Sequence, residues 1–236
     1  EFGFGTYVPY GGMVAITESL VALAQRQGVE FHFGERVERI TLQGQMATGI
    51  RVAGHDLAAD VVLSNMDVTP TYRRLLPDLK APEKTLNQER SSSALIFYWR
   101  VRRDFPELNL HNILFAGDYE AEFHDLFERK RLHADPTVYI HITSKDLPGE
   151  APEGGENWFV MINAPADYGQ DWTAWRTQAR ASVLAKIERA LGVDVAPFIE
   201  VEDVLDPPTI QARTGSDRGA LYGASSNNAM AAFLRH

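Results

Sequence analysis

The stretch from Tyr10 to Asn65 constrains the fold more than any other, because every joint in it is punctuated. Gly11 and Gly12 lead into a run that puts Ile16, Leu20, Leu23 and Ala24 on one helical face, and Gly28 stands where a left-handed residue ends a helix. Val29, Phe31 and Phe33 alternate with Glu30 and His32, which predicts a strand. Val37 and Ile40 carry it past Gly34 toward a hairpin at Gln43, Gly44 and Gln45, and the chain returns through residues 48–52. The run Asp60-Val61-Val62-Leu63-Ser64-Asn65 then reads as a strand buried on both faces.

Past residue 66 the pattern changes. Residues 69–76 suit a short helix with Pro70 in its first turn, and Pro77 and Pro82 mark a connector. Strand patterns follow at 93–101, 112–115, 137–143 and 158–163. Two helices lie among them. After Asp118, a good N-cap, Tyr119, Phe123, Leu126 and Phe127 form an apolar stripe, with Glu120, Glu122, Asp125 and Glu128 facing elsewhere and Arg129, Lys130 and Arg131 closing the run. From Asp171, residues Trp172, Trp175, Ala179, Val183, Ile187 and Leu191 recur at three- and four-residue spacing until Gly192. The expected fold class is α+β: a mixed or antiparallel sheet with helices on one side, plus part of an α/β region. Residues 146–156, rich in Pro, Gly and acid, read as a solvated loop, and a pair between Arg213 and Asp217 is possible by spacing.

Composition narrows the function. The 236 residues, 44% hydrophobic and 23% charged, are enough to bury a real core. Zero cysteines exclude disulfides and thiol chemistry, and a net charge of −9 argues against a nucleic-acid groove. No apolar run approaches the ~18 residues of a membrane span. The expected location is the cytoplasm, with peripheral contact to the inner membrane face left open. The seven histidines lack metal-ligand spacing, and no Gly-x-Ser-x-Gly elbow occurs. His141, between Ile140 and Ile142, points to the opposite side of its strand from them.

In the strand at 93–101, Leu95, Phe97 and Trp99 share one face while Ile96 and Tyr98 share the other. Two readings stand: an aromatic wall for a long apolar ligand, or ordinary core.

The order "GVEFHFGERVERI", "ATGIRV", "ADVVLSN", followed by "SSSALIFYWRVRRDFPELNLHNILFAGDYEAEFHDLF", "DPTVYIHITS" and "GALYGASSNNAMAAFLRH", resembles the phytoene desaturase branch of the flavin-dependent amine oxidase superfamily along nearly the whole chain. A Gly-x-Gly-x-x-Gly turn for the FAD pyrophosphate is not found; Gly3 and Gly5 come nearest, but the third glycine position is Val8. The expectation is therefore an internal portion of a flavoenzyme that does not retain FAD by itself.

The resemblance implies FAD as cofactor in the parent protein and a carotenoid or related polyisoprenoid as substrate. It implies hydride removal to the flavin and then proton loss, with no catalytic base identified in this chain. Residues 1–66 would belong to the FAD-binding region, 67–205 to the substrate-binding domain, and 206–236 to a segment returning to the FAD side. Val37 would meet the adenine through its main chain. Tyr222, Gly223 and Ser226 would lie by the flavin ring, and Leu95, Phe97 and Trp99 by the substrate. The bland alternatives are a core strand for Val37 and a helix-capping loop for the Ser-Asn cluster. Another oxidase, isomerase or dehydroxylase of the superfamily, or a non-catalytic lipid- or carotenoid-binding module, are the rival functions.

Overall fold

A computed structural model describes residues 3, 5, 7 and 9–225. Helix α1 (Val14–Arg26) comes first, with Gly28 left-handed just beyond it. Strands β1 (Val37–Gln43), β2 (Met46–Val52) and β3 (His55–Ala58) form a three-stranded antiparallel sheet. After a turn at Val68–Pro70 that continues into a wide π turn, β4 (Ser93–Val101) opens the main sheet. It is followed by β5 (His111–Leu114), α2 (Tyr119–Phe127), β6 (Val138–His141), β7 (Glu156–Ala164), α3 (Trp172–Leu191), β8 (Ile199–Leu205) and α4 (Pro207–Thr214). The main sheet has the order β5-β6-β7-β4-β8, and all its pairings are antiparallel. The fold is α+β.

The side of the sheet that α3 covers is the core. Leu95, Phe97, Trp99 and Val101 from β4, Trp158, Val160 and Ile162 from β7, and Val138 and Ile140 from β6 interdigitate with Trp172, Ala179, Val183 and Ile187 of α3. The register explains this: Phe97 pairs with Val160, and Trp99 with Trp158, so paired residues project together toward the helix. The predicted α3 stripe therefore packs as its spacing requires, with Trp175 and Leu191 at the margin.

Three expectations need correction. Residues 29–33 form no strand; Val29, Phe31 and Phe33 stay exposed, Phe31 stacks on Phe33 at 5.5 Å, and no ladder partner for them exists among the described residues. The run 60–65 is likewise outside any strand, with Leu63 92% exposed. The predicted face of α1 is not buried either, since Ile16, Leu20 and Leu23 all reach solvent. Each of these segments has the apolar content of a buried element, but a strand needs a partner ladder and a helix a covering surface.

The predicted stripe of α2 is split: Leu126 is buried as expected and Phe127 half-buried, while its first two rings face solvent. Its buried residues are Glu122, Asp125 and Leu126, whereas Tyr119 and Phe123 are exposed. Hydrogen bonds account for it. Glu122, 0% exposed, accepts from Thr137 N (3.2 Å), Thr137 Oγ1 (2.7 Å) and Asn163 Nδ2 (3.2 Å), tying the helix to the sheet. Asp125 accepts from Arg129 Nη1 (2.8 Å) and Arg131 Nε (2.9 Å) and contacts His133 Nδ1 at 2.9 Å. Paired in this way, two buried carboxylates are tolerated that would be costly alone. The outward side carries a ladder of rings, Phe115 to Tyr119 at 6.3 Å, Tyr119 to Phe123 at 4.9 Å and Phe123 to Phe127 at 6.0 Å.

Burial pushes the Asp125 carboxyl up, but the hydrogen bonds from His133, Arg129 and Arg131 outweigh it and hold the group well below the usual carboxylate range. A depressed folded-state value adds stability that is present above the unfolded value of about 4 and is lost as pH falls through that window. Asp125→Asn is therefore expected to lower the melting temperature clearly at pH 7 and progressively less below about pH 4. A constant gap between the two proteins from pH 7 to pH 3 in thermal melts would contradict this.

Candidate functional site

Two clefts adjoin at Asn65 and Met66, between the small sheet and the segment around Ile210 and Leu221. The first, about 550 Å³, runs from Val37 and Ile50 of the small sheet to Val61, Leu63, Asn65 and Met66. The second, about 450 Å³, is lined by Asn65, Met66, Val68, Ile210, Leu221 and Gly223. Asn65 and Met66 line both, so the two clefts adjoin there as a two-part groove, with Val37 in one part and Gly223 in the other. The run 60–65, unpaired as a strand, is the wall of that groove. Of the residues expected at the cofactor, Val37 lines the first cleft and Gly223 the second, with Tyr222 65% exposed beside it. Ser226 lies outside the described residues.

The far wall is a strap, residues 217–225, laid antiparallel along the entry to β4. Ser91 N donates to Gly223 O (2.9 Å), Tyr222 N to Ser91 Oγ (3.0 Å), Leu221 N to Ser92 O (3.1 Å) and Ser225 N to Glu89 O (2.7 Å). Ser93 Oγ donates to Gly219 O at 2.6 Å. Two glycines in the strap are held at positive φ for different reasons. At Gly219 (φ +66) an added Cβ would fall well inside contact distance of the Pro207 carbonyl, so the chain passes where only glycine fits. At Gly223 (φ +68) a Cβ would meet nothing within 4 Å among the described residues, which leaves the groove wall open to them there.

Behind the groove lies a buried ion cluster. Arg90 is 4% exposed; its Nε meets Asp217 Oδ2 at 2.8 Å and its Nη1 meets Asp67 Oδ1 at 3.7 Å. Nη2 donates to Thr69 Oγ1 and to Leu86 O. Asp67 in turn accepts from Thr69 N (2.9 Å) and Asp217 N (3.2 Å). Asp217 is therefore the partner of Arg90; Arg213, which spacing could place beside it, sits 3.9 Å from Asp203 instead. Sequence reasoning missed Arg90, Asp67 and Ser91. The only signal for them is an Arg and a Ser cluster just before an apolar strand, and sequence spacing does not show which distant acids they meet.

The other face of the main sheet is covered at Ala94 and Ile96 and open from Tyr98 onward. Cross-strand pairing sets Asp203, Tyr98, Phe159, His141 and His111 in one row and Leu205, Ile96, Met161, Tyr139 and Ile113 in the next. Tyr98 is 40% exposed and meets Phe159 edge-on at 5.5 Å; Tyr139 does the same from the other side at 6.2 Å. His141 points to this face, stacked on His111 at 4.7 Å, while His111 Nδ1 lies 2.8 Å from the Tyr139 hydroxyl. Burial, and then the charge of His111, lowers the His141 pKa, and burial raises that of Tyr139, so both favour their neutral forms. A hollow of about 550 Å³ adjoins Tyr98, Arg100, His141, Asn157, Phe159 and Val201. Leu95, Phe97 and Trp99, by contrast, are enclosed beneath α3 and do not reach this face.

By sequence, residues 1–202 match the family described as flavin containing amine oxidoreductases. The chain is 57% identical over 236 residues to a 1-hydroxycarotenoid 3,4-desaturase of Flavobacterium sp. (strain P99-3), covering 100% of this chain and 48% of that protein. It is 31% identical over 249 residues to a phytoene desaturase of Fusarium fujikuroi, covering 95% of this chain and 44% of that protein. The chain thus spans about half the length of the curated relatives it matches. In fold it is similar to an oxidoreductase from Methanosarcina mazei, with a TM-score of 0.61 at 15% identity, over 93% of this chain and 46% of that one.

Proposed function

This chain belongs to the flavin containing amine oxidoreductase family, and on that premise we propose that it forms the substrate-facing part of an FAD-dependent desaturase acting on a hydroxylated carotenoid. The observation that carries the reading is the pair of adjoining clefts, with Val37 in one, Gly223 in the other, and Asn65 and Met66 lining both. Its apolar wall and the open position at Gly223 suit a flat ring system that must lie close to backbone. Val37 would meet FAD at one end, and Tyr222, Gly223 and Ser226 at the other. FAD, when bound, supplies the two-electron acceptor. Residues 1–66 act on the cofactor side, 67–205 on the substrate side, and 206–236 return to the cofactor.

The polyene wall belongs to the open face. Tyr98, Phe159, Met161 and Tyr139 offer apolar and aromatic surface there, reachable from outside, whereas Leu95, Phe97 and Trp99 support that wall from within the core. The substrate class comes from the 57% identical relative, named for desaturation of a 1-hydroxycarotenoid. The full-length protein, loaded with FAD and given carotenoids in liposomes, is expected to add a double bond to a 1-hydroxylated substrate. The 236-residue chain alone is expected to elute colourless from gel filtration, since it carries no Gly-x-Gly-x-x-Gly turn to hold the pyrophosphate. Absence of product with every hydroxylated carotenoid tried would reject the substrate; stoichiometric flavin on the chain alone would reject the division of labour.

Such a substrate dissolves in lipid, and we place the membrane contact at the ring ladder of Phe115, Tyr119, Phe123 and Phe127, which α2 turns outward. No helix among the described residues is long and apolar enough to cross a membrane. Phe115→Glu with Phe123→Glu is expected to leave the melting temperature near that of the parent, because both rings are exposed, and to reduce flotation with liposomes severalfold. Unchanged flotation would remove the ladder from the membrane.

A further inference from the structure

The geometry points to Arg90 as the positioning residue that fixes the separation of the two walls of the groove; the inference rests on the reading of that groove as the flavin site. One wall is the segment through Asn65 and Met66, continued by Asp67 and Val68, and the other is the strap at 217–223. Among the described residues no shared strand ladder joins them directly. One guanidinium bridges them, with Nε on Asp217 at the head of the strap, Nη1 on Asp67 at the foot of the opposite wall, and Nη2 on Thr69 and Leu86, beside a direct contact between Asp67 and Asp217. Asp67 closes the circuit by accepting from the Asp217 backbone N–H at 3.2 Å.

Net stability is a poor explanation for such a cluster. Burying a guanidinium with two carboxylates costs desolvation that the attraction only roughly repays, and apolar side chains often serve a core as well or better. What a planar fork with donors in fixed directions supplies is a defined distance and angle between the groups it holds. Arg90 sits where two walls that differ widely in sequence position have to be held in register, and Asp67 itself lines the groove. Arg90 touches neither cofactor nor substrate in this scheme. Its influence runs through Asp67 and Asp217 to the backbone on which Met66 and Gly223 ride.

The test is FAD titration of the full-length apoprotein, followed by flavin fluorescence, with backbone hydrogen exchange at 217–223 as a readout independent of flavin. Arg90→Lys keeps the charge but presents one point donor in place of the fork, so it is expected to weaken FAD binding by about tenfold or more and to speed exchange in the strap. Asp217→Asn, which removes one arm only, should move both readouts in the same direction by less. Arg73→Lys, in the exposed pair with Glu83, is the control and should leave FAD affinity within about twofold. If Arg90→Lys does not fold, Asp217→Asn carries the decision. Variants that fold, bind FAD like the parent and exchange no faster would overturn the role of Arg90 while leaving the flavin site standing. A parent protein that binds no FAD would overturn the flavin reading, and this inference with it.

Discussion

Phe97→Ala and Trp99→Ala are each expected to destabilise the protein by about 3–5 kcal/mol, whereas Tyr98→Ala, one position away on the same strand, should cost about 1 kcal/mol. The contrast follows from the pleat. Phe97 and Trp99 are closed in under α3 with rings 5.5 Å apart, and truncation of either leaves a cavity that packed neighbours cannot fill. Tyr98 faces outward and loses an edge contact with Phe159 and some covered area. The functional order should be reversed. If the open face carries the polyene, Tyr98→Ala in a folded full-length enzyme should lower kcat/KM for a long carotenoid by roughly tenfold, about 1.4 kcal/mol of lost contact. Thermal melts beside turnover in liposomes decide it. A Tyr98→Ala enzyme with parental kcat/KM would take the substrate off this face, and a Phe97→Ala protein that melts normally would show that Phe97 is not core.

Helix α3 was legible because its stripe runs through five turns and faces a sheet whose own alternation has the same sense. The α2 stripe is just as regular, yet Tyr119 and Phe123 face outward and only Leu126 is fully buried. Pattern reading assumes that the apolar side goes in, and it cannot see that Glu122 and Asp125 meet a complete set of donors from Thr137, Asn163, Arg129, Arg131 and His133. Strand β8 escaped notice because Glu200, Glu202 and Asp203 dominate its composition; as the edge strand it pairs only with β4, and two of its acids meet Arg100 and Arg180. Residues 29–33 and 60–65 failed the other way, since apolar content says that a segment wants cover without saying where the cover lies. The groove residues Val37 and Gly223 came from family resemblance alone. The ion cluster behind them joins residues up to 150 positions apart, and no local spacing could announce it.

The two glycines of the strap give the second large effect. Gly219→Ala and Gly223→Ala change the same residue type at nearly the same positive φ, so both carry the strain of a left-handed alanine, about 1 kcal/mol. There the likeness ends. The Gly219 methyl would collide with the carbonyl, carbonyl carbon and Cα of Pro207, all backbone at the start of α4, and backbone held by a helix does not yield as a side-chain tip does. Relief requires lifting the strap, which strips Ser93 Oγ from Gly219 O and loosens Asp217 on Arg90. Loss of about 3 kcal/mol or more is expected, with flavin lost as the fold is lost. The Gly223 methyl meets open space on the groove wall. Gly223→Ala should melt within a few degrees of the parent, as a ~1 kcal/mol strain predicts for a chain of this size, and yet in the full-length protein bind FAD about tenfold more weakly if, as proposed, the backbone approaches the flavin ring there. Melting curves with and without saturating FAD separate the two effects. Equal FAD affinity in Gly223→Ala and the parent would move the flavin away from this end of the groove, and a stable Gly219→Ala would mean that the strap can leave Pro207 at little cost.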